Sequence, residues 1–191
     1  MGIKATIYKA DVELADMDRH IYSDHSLTIA RHPSETDERL IIRLLAFALN
    51  VPVNDDNGAL EFAKDMWDPD EPCLWQKDLT GSLKHWIEVG QPDEKRISRA
   101  SSRVDRVTVY SFSSSTPIWW SGIANKLARL RNLTVWQIPA EQSQALEALA
   151  QRSMRVQVSI QDGAIWVSAG DRSVDVTLTR LHGDVDAVSA R

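Results

Sequence analysis

The sequence predicts an α/β protein: a mixed β-sheet flanked by helices, with additional antiparallel hairpins at both ends. Apolar residues alternate with a period of two near the start of the chain, as they do along residues 3–15. Helix and strand patterns then alternate through the middle of the chain, which implies crossover connections within a mixed sheet. A hairpin signal, Gln161-Asp162-Gly163, joins two strand patterns near the end. No linker divides the chain, so we expect a single domain over residues 1–191.

The first half of the chain is predicted to hold two strands, a helix, a long loop and a hairpin. Ser34 opens the helix with a capping-box pattern, and Pro52 ends it. The acidic loop also permits a short helix. In chain order, the predicted elements are strands 3–15 and 21–30, helix 34–51, loop 54–72 with a short helix near Leu60–Ala63, and hairpin 74–90.

The second half begins with the helix–strand alternation. Asp93 and Glu94 lie in the first turn of a helix, where the helix dipole favours acids, and Pro117 is at the first position of another helix. The predicted elements are helix 93–103, strand 107–112, a helix from Pro117, strand 133–138, helix 139–152, and strands 154–160, 164–168 and 174–181.

Composition excludes several classes of protein. A single cysteine, Cys73, rules out an intramolecular disulfide and an all-cysteine zinc site. The longest strongly apolar stretch, Ile41–Leu49, contains Arg43, so we expect no membrane span and a cytoplasmic protein. The sequence has no Gly-rich phosphate loop, and its histidines are not paired at metal-ligand spacing.

The net charge of −5 conceals a gradient along the chain. Residues 1–94 carry 19 acids and 9 bases, whereas residues 95–140 carry 8 bases and one acid, a net charge of +7. A basic segment in an acidic chain is a candidate surface for phosphate groups, and so for nucleic acid through residues 95–131. Solvated helix faces that pair with the acidic half are an equally good explanation of the charges.

Two carboxylates in the 74–90 hairpin are candidate metal ligands. Asp78 ends the first arm and Glu88 lies in the second, so antiparallel pairing is expected to bring them within a few ångström of each other. Mg²⁺ binds through one or two carboxylates together with substrate phosphate, and it can orient a water for attack on a phosphodiester. Spacing alone is more typical of two surface acids than of a metal site.

The sequence also resembles the bacterial YaeQ family, and the match covers nearly the whole chain in order. The stretches that carry the resemblance are Lys4–Ala10 (KATIYKA), Ala30–Arg39 (ARHPSETDER), Trp86–Glu94 (WIEVGQPDE), and Ile160–Gly163 (IQDG) with Ile165 and Trp166.

The resemblance implies a fold related to the PD-(D/E)XK nucleases, which are also called restriction-endonuclease-like. By correspondence with that superfamily, Asp78 and Glu88 would ligate Mg²⁺ or Mn²⁺. Glu38, or less favourably Glu35, would be the acid that many members place on the helix before the hairpin. The lysine expected two residues after Glu88 is replaced by Gly90. The following helix offers Lys95, Arg96 and Arg99 instead, and Lys95, the nearest lysine, is the predicted substitute.

Two functions follow as hypotheses. In the first, the protein is a metal-dependent nuclease with Glu38, Asp78, Glu88 and Lys95 as its catalytic residues. In the second, catalysis has been lost, and the fold binds nucleic acid or an unknown protein partner in a regulatory role. Only the second hypothesis depends on the basic segment rather than on the acids.

Overall fold

The structure is a computed structural model, and it describes residues 4–183. Within this range the chain forms eleven strands, four α-helices and a short 3-10 helix, Asp65–Trp67. The strands are β1 (Thr6–Asp16), β2 (Ile21–Arg31), β3 (Leu60–Phe62), β4 (Leu74–Lys77), β5 (Leu83–Val89), β6 (Arg106–Ser111), β7 (Leu133–Gln137), β8 (Ser153–Gln161), β9 (Ala164–Ala169), β10 (Arg172–Val176) and β11 (Thr179–His182). The helices are α1 (Asp37–Asn50), α2 (Glu94–Ser101), α3 (Thr116–Leu127) and α4 (Ala140–Glu147).

The described residues form two compact units, each built from two separate segments of the chain. The first unit comprises the residues up to Leu49 and Glu141–Thr177, and the second comprises Asn50–Ala140 and the residues from Leu178. Two of the three boundaries fall inside α1 and α4, which explains why no linker is visible in the sequence. The single domain over residues 1–191 stays a prediction.

The first unit contains a five-stranded sheet in the order β10-β9-β8-β1-β2. The hairpins β1–β2 and β8–β9, predicted separately, are joined because β1 pairs in parallel with β8, for example Val12 with Val156. Side chains of β1 alternate between buried and exposed, as a sheet with one covered face requires. The predicted first strand started at Ile3, which lies outside the described residues.

The second unit contains a six-stranded sheet in the order β11-β7-β6-β5-β4-β3. Strands β5, β6 and β7 are parallel and are connected through α2 and α3, as the alternating pattern predicted. Ile97 and Ala100 of α2 are buried in the same apolar cluster as Val107 and Val109 of β6. The mixed α/β fold with two mixed sheets agrees with the predicted class.

Three local predictions are wrong. The short helix near Leu60–Ala63 is strand β3, whose Leu60 pairs with Gln76 of β4. Helix α1 starts at Asp37 rather than at Ser34, because the Thr36 hydroxyl accepts a hydrogen bond from the Arg39 amide at 3.1 Å. The strand predicted at 174–181 is divided into β10 and β11, which belong to different sheets.

None of the helices within residues 4–183 has the length and apolarity needed to cross a membrane.

A buried ion-pair network fixes the start of α1 in the first unit. The Glu35 carboxylate accepts hydrogen bonds from Arg43 at 2.6 and 2.8 Å and from Arg39 at 2.5 Å. The side chains of Glu35 and Arg43 are only 1% and 3% exposed, and Arg43 also donates to the carbonyl oxygen of Ala30 in β2. The network therefore ties the helix to the preceding strand.

We expect Glu35→Ala to lower the free energy of unfolding by about 3 kcal/mol, because it leaves the buried Arg43 without its carboxylate. Urea denaturation followed by circular dichroism measures this decrease. Glu147→Ala, which removes an exposed acid from α4, is the matched control and should change stability by less than about 0.5 kcal/mol. Equal decreases in the two variants would contradict the structural role of Glu35.

Candidate nucleic-acid interface

The second unit holds three of the four residues predicted to be catalytic, Asp78, Glu88 and Lys95, and Glu38 belongs to the first unit. Glu38 lies in the first turn of α1, where its carboxylate accepts a hydrogen bond from the Ser143 hydroxyl at 3.1 Å. Glu35, the less favoured alternative, is committed to the ion-pair network with Arg39 and Arg43.

Asp78 stabilises the turn of the β4–β5 hairpin. One of its carboxylate oxygens accepts hydrogen bonds from the Thr80 amide, the Thr80 hydroxyl and the Ser82 amide at 2.9, 2.6 and 2.9 Å. The hydroxyl of Thr80 contributes most to lowering the pKa of Asp78, which the two amides and Lys84 lower further against a partial desolvation effect. These contacts are those of an acid that closes a turn.

Glu88 lies at the opposite end of the hairpin from Asp78. The amide of Asp78 donates to the carbonyl oxygen of Ser82, and six residues separate Ser82 from Glu88 along β5. At about 3.3 Å per residue this distance is roughly 20 Å. The expectation that Asp78 and Glu88 lie within a few ångström of each other is therefore wrong, because the strand register puts them at different ends.

The carboxylate of Glu88 is buried and is paired with a cation. It accepts hydrogen bonds from the Trp86 indole at 2.8 Å and from Arg96 Nε at 2.9 Å, and its side chain is 8% exposed. Burial raises the pKa of Glu88; Arg96 and Trp86 oppose this shift, and the negative charge of Asp65 adds to it. The cation beside Glu88 is thus Arg96, whereas Lys95, predicted for that position, is exposed on α2.

Arg96 also holds the acidic loop that precedes β4. Its guanidinium donates to the carbonyl oxygen of Glu71 at 2.9 Å and to that of Pro69. One side chain thereby connects α2, β5 and the loop. Helical periodicity gave a signal for this role, because Arg96 is adjacent to the buried Ile97 and one turn before the buried Ala100.

Gly90, where the resemblance led us to expect a lysine, has a backbone that disfavours a lysine. Its φ is +114°, a conformation that L side chains rarely adopt. Its amide donates to the carbonyl oxygen of Tyr110 at 2.8 Å, which continues the pairing of β5 with β6 beyond Val89. The backbone conformation therefore explains why a glycine stands at this position, whether or not the protein catalyses a reaction.

A groove runs along α2, and we call it the α2 groove. It encloses about 310 Å³, and its lining residues come from α2 and the residues that flank it, from β5 and from the loop before β4. The lining residues are Pro69, Asp70, Trp86, Asp93, Lys95, Arg96, Arg99, Ala100 and Arg103.

Three lining cations give the α2 groove its charge. Lys95, Arg99 and Arg103 are all exposed. Lys95 and Arg99 lie four residues apart on one side of α2, and Arg103 lies in the turn that follows the helix. Within residues 4–183, none of the three has an ion-pair partner, and Arg103 lies over the Trp86 ring, 5.7 Å from its centroid. Lys95 and Arg99 are like charges four residues apart on a helix, which destabilises it by about 0.2–0.5 kcal/mol, so helix stability does not explain this pair.

Comparison with known proteins decides the family. A profile of the YaeQ protein family matches residues 1–178. The chain belongs to the YaeQ family. The YaeQ protein of Escherichia coli (strain K12) is 41% identical over 180 residues, which are 94% of this chain and 97% of the relative. The YaeQ protein of Salmonella typhi shows the same identity and coverage.

Solved YaeQ structures have the same fold. The crystal structure of the YaeQ protein from Xanthomonas axonopodis pv. citri matches with a TM-score of 0.88 at 43% identity, over 95% of this chain and all of that one. That of the Pseudomonas syringae protein matches with a TM-score of 0.85 at 36% identity, over 94% of this chain and 97% of that one. The YaeQ family inferred from the motifs is confirmed.

The raised pKa of Glu88 predicts a pH-dependent difference between the native protein and Glu88→Gln. A raised folded-state pKa means that the folded protein takes up this proton at a higher pH than the unfolded chain does. Protonation of Glu88 therefore adds to the free energy of unfolding. This stabilisation is fully present below the pKa of Glu88 in the unfolded chain, about 4.3, and is lost as pH rises through the pKa of Glu88 in the folded protein. We therefore expect native stability to rise relative to Glu88→Gln on acidification through that window.

Urea denaturation of both proteins at several pH values between neutrality and pH 4 measures this difference. The amide introduced by Glu88→Gln keeps an acceptor for the Trp86 indole but cannot titrate, and all other titrations are common to both proteins. A difference in unfolding free energy that does not vary with pH would show that Glu88 titrates normally.

Proposed function

We propose that this YaeQ protein is a nucleic-acid-binding module that uses the α2 groove and has no catalytic metal centre. The observation that carries the proposal is the row of exposed cations, Lys95, Arg99 and Arg103, along a groove in which they have no ion-pair partners among the described residues. Phosphate groups are the ligands that such a row neutralises, and release of counterions then contributes to the affinity.

The local acids do not cancel this charge. Asp93 is the N-cap of α2, where its carboxylate accepts a hydrogen bond from the Arg96 amide at 2.8 Å, and Glu88 is paired with Arg96. The remaining acid of the lining is Asp70, on the loop. The groove therefore has a positive side along α2 and one negative residue on its other wall.

The residues proposed for Mg²⁺ or Mn²⁺ do not fit a shared cation. Asp78 and Glu88 are roughly 20 Å apart along the strand, and Glu88 already neutralises Arg96. Within residues 4–183, no group of three or more histidine, cysteine, aspartate or glutamate side chains is placed to hold a metal ion. These positions favour binding over metal-dependent cleavage as the role of the fold.

Reversing two of the cations, in Arg99→Glu/Arg103→Glu, should weaken binding of a fluorescein-labelled oligonucleotide by roughly tenfold or more. The slope of log affinity against log salt concentration should also become shallower, by about 1 for each phosphate that is no longer neutralised. Fluorescence anisotropy at several salt concentrations measures both quantities. The matched control is Lys9→Glu/Arg155→Glu, which makes the same charge change at exposed residues of the first unit and should leave binding within about twofold.

Binding that is unchanged by reversal at Arg99 and Arg103, or that changes equally in the control, would overturn the proposal. The same samples are incubated with Mg²⁺ and with Mn²⁺ and resolved on denaturing gels, where we expect intact oligonucleotide. Cleavage by the native protein that disappears in Glu88→Gln would instead establish the nuclease hypothesis.

We expect Asp70→Asn to strengthen binding by about two- to threefold, because it removes the acidic side chain from the wall opposite the cations. The gain should shrink as salt increases, since screening reduces the repulsion between Asp70 and phosphate. Anisotropy at low and physiological salt checks both expectations. Asp171→Asn, at an exposed acid in the first unit, is the control. Weaker binding by Asp70→Asn would mean that this loop contacts the ligand through its carboxylate.

A further inference from the structure

Two tryptophans lie side by side at the edge of the α2 groove. Trp86 of β5 lines the groove, and Trp75 is its direct partner on β4. Their ring centroids are 6.1 Å apart with an interplanar angle of 65°. Trp86 is buried, whereas Trp75, its neighbour outside the groove lining, is only partly buried, so Trp75 is the more accessible ring of the pair.

Each of these tryptophans is accompanied by a cation. Lys77 Nζ lies 3.6 Å from the centroid of the Trp75 ring, and Arg103 lies over Trp86. Lys77 is exposed and has a long flexible side chain, so its ammonium can leave the ring at little cost. A planar group can then take its place on the ring while the ammonium turns to a neighbouring anion.

We propose that the α2 groove selects single-stranded nucleic acid, with a base stacked on Trp75 and the phosphates held by Lys77, Arg99 and Arg103. The inference rests on the nucleic-acid binding proposed above and adds the class of ligand to it. An aromatic side chain beside a cationic groove is the combination that single-strand binding uses, because an unpaired base exposes its ring faces. In a duplex these faces are stacked within the helix, and only the base edges and the phosphates are accessible.

The test uses the full-length protein and three fluorescent probes of equal length, each of about 15 nucleotides or base pairs, which is enough to span a single-strand site. They are oligothymidylate, an abasic strand with the same phosphates, and a duplex. We expect the native protein to bind oligothymidylate about tenfold more tightly than the abasic strand, which is the gain expected for one stacked base. The duplex should bind more weakly than the single strand.

Variants of Trp75 identify the side chain responsible. Trp75→Leu should remove the preference for oligothymidylate over the abasic strand, while Trp75→Phe, which keeps a stacking face, should retain most of it. Trp166→Leu is the matched control, because Trp166 is also a partly exposed strand tryptophan (36%) but belongs to the first unit. The preference for oligothymidylate is measured on the native protein alone, so the inference can still be overturned if a Trp75 variant does not fold.

The outcomes separate this inference from the function on which it rests. Equal binding of all three probes, or tighter binding of the duplex, would overturn single-strand selection while nucleic-acid binding stands. Binding of none of the probes would overturn both. A preference for oligothymidylate that survives in Trp75→Leu would overturn the stacking role of Trp75.

Discussion

One guanidinium, that of Arg96, ties together α2, β5 and the loop before β4 in the second unit. Glu88 is buried and carries a charge, and such a carboxylate is costly without a partner. The loop before β4 presents carbonyl oxygens that need hydrogen-bond donors. Arg96 pairs with the carboxylate and donates to these carbonyl oxygens from a single planar group with five N–H donors. Once α2 is held in this orientation, helical periodicity sets Lys95 and Arg99 along the groove, and the turn after the helix adds Arg103.

The same constraint bears on the metal site expected from the sequence. A carboxylate that neutralises Arg96 is already compensated, and a divalent cation at Glu88 would have to compete with the guanidinium. Asp78 has a comparable commitment, because its carboxylate closes the hairpin turn through Thr80 and Ser82. At Gly90, a positive φ disfavours the lysine that a nuclease would use. All three positions therefore serve local structure.

Sequence patterns predicted the elements best where the signal is local. The period-two alternation of β1 and the crossover order β5-α2-β6-α3-β7 could be predicted from neighbouring residues alone, without knowledge of pairing partners far along the chain. The parallel pairing of β1 with β8, such as Val12 with Val156, joins residues far apart in the sequence, and no local pattern encodes it. Phe62 and its neighbours looked helical because so short a segment shows no period, and pairing with β4 made them a strand. The predicted proximity of Asp78 and Glu88 was wrong because of the strand register. Pairing of β4 with β5 fixes which end of the hairpin holds Glu88, and the residue types alone do not.

The net charge of −5 is a poor guide to what the surface attracts, because the acids around the α2 groove are largely committed. Asp93 caps α2 and Glu88 pairs with Arg96, so each carboxylate has its negative charge balanced locally or directed at a backbone N–H group. The groove cations have no comparable partners among the described residues, and their field extends into the solvent. In the proposed complex, a phosphate chain would meet the charge of α2 rather than the average charge of the protein. The gradient along the sequence already indicated this difference, and the hydrogen bonds of the acids supply its physical cause.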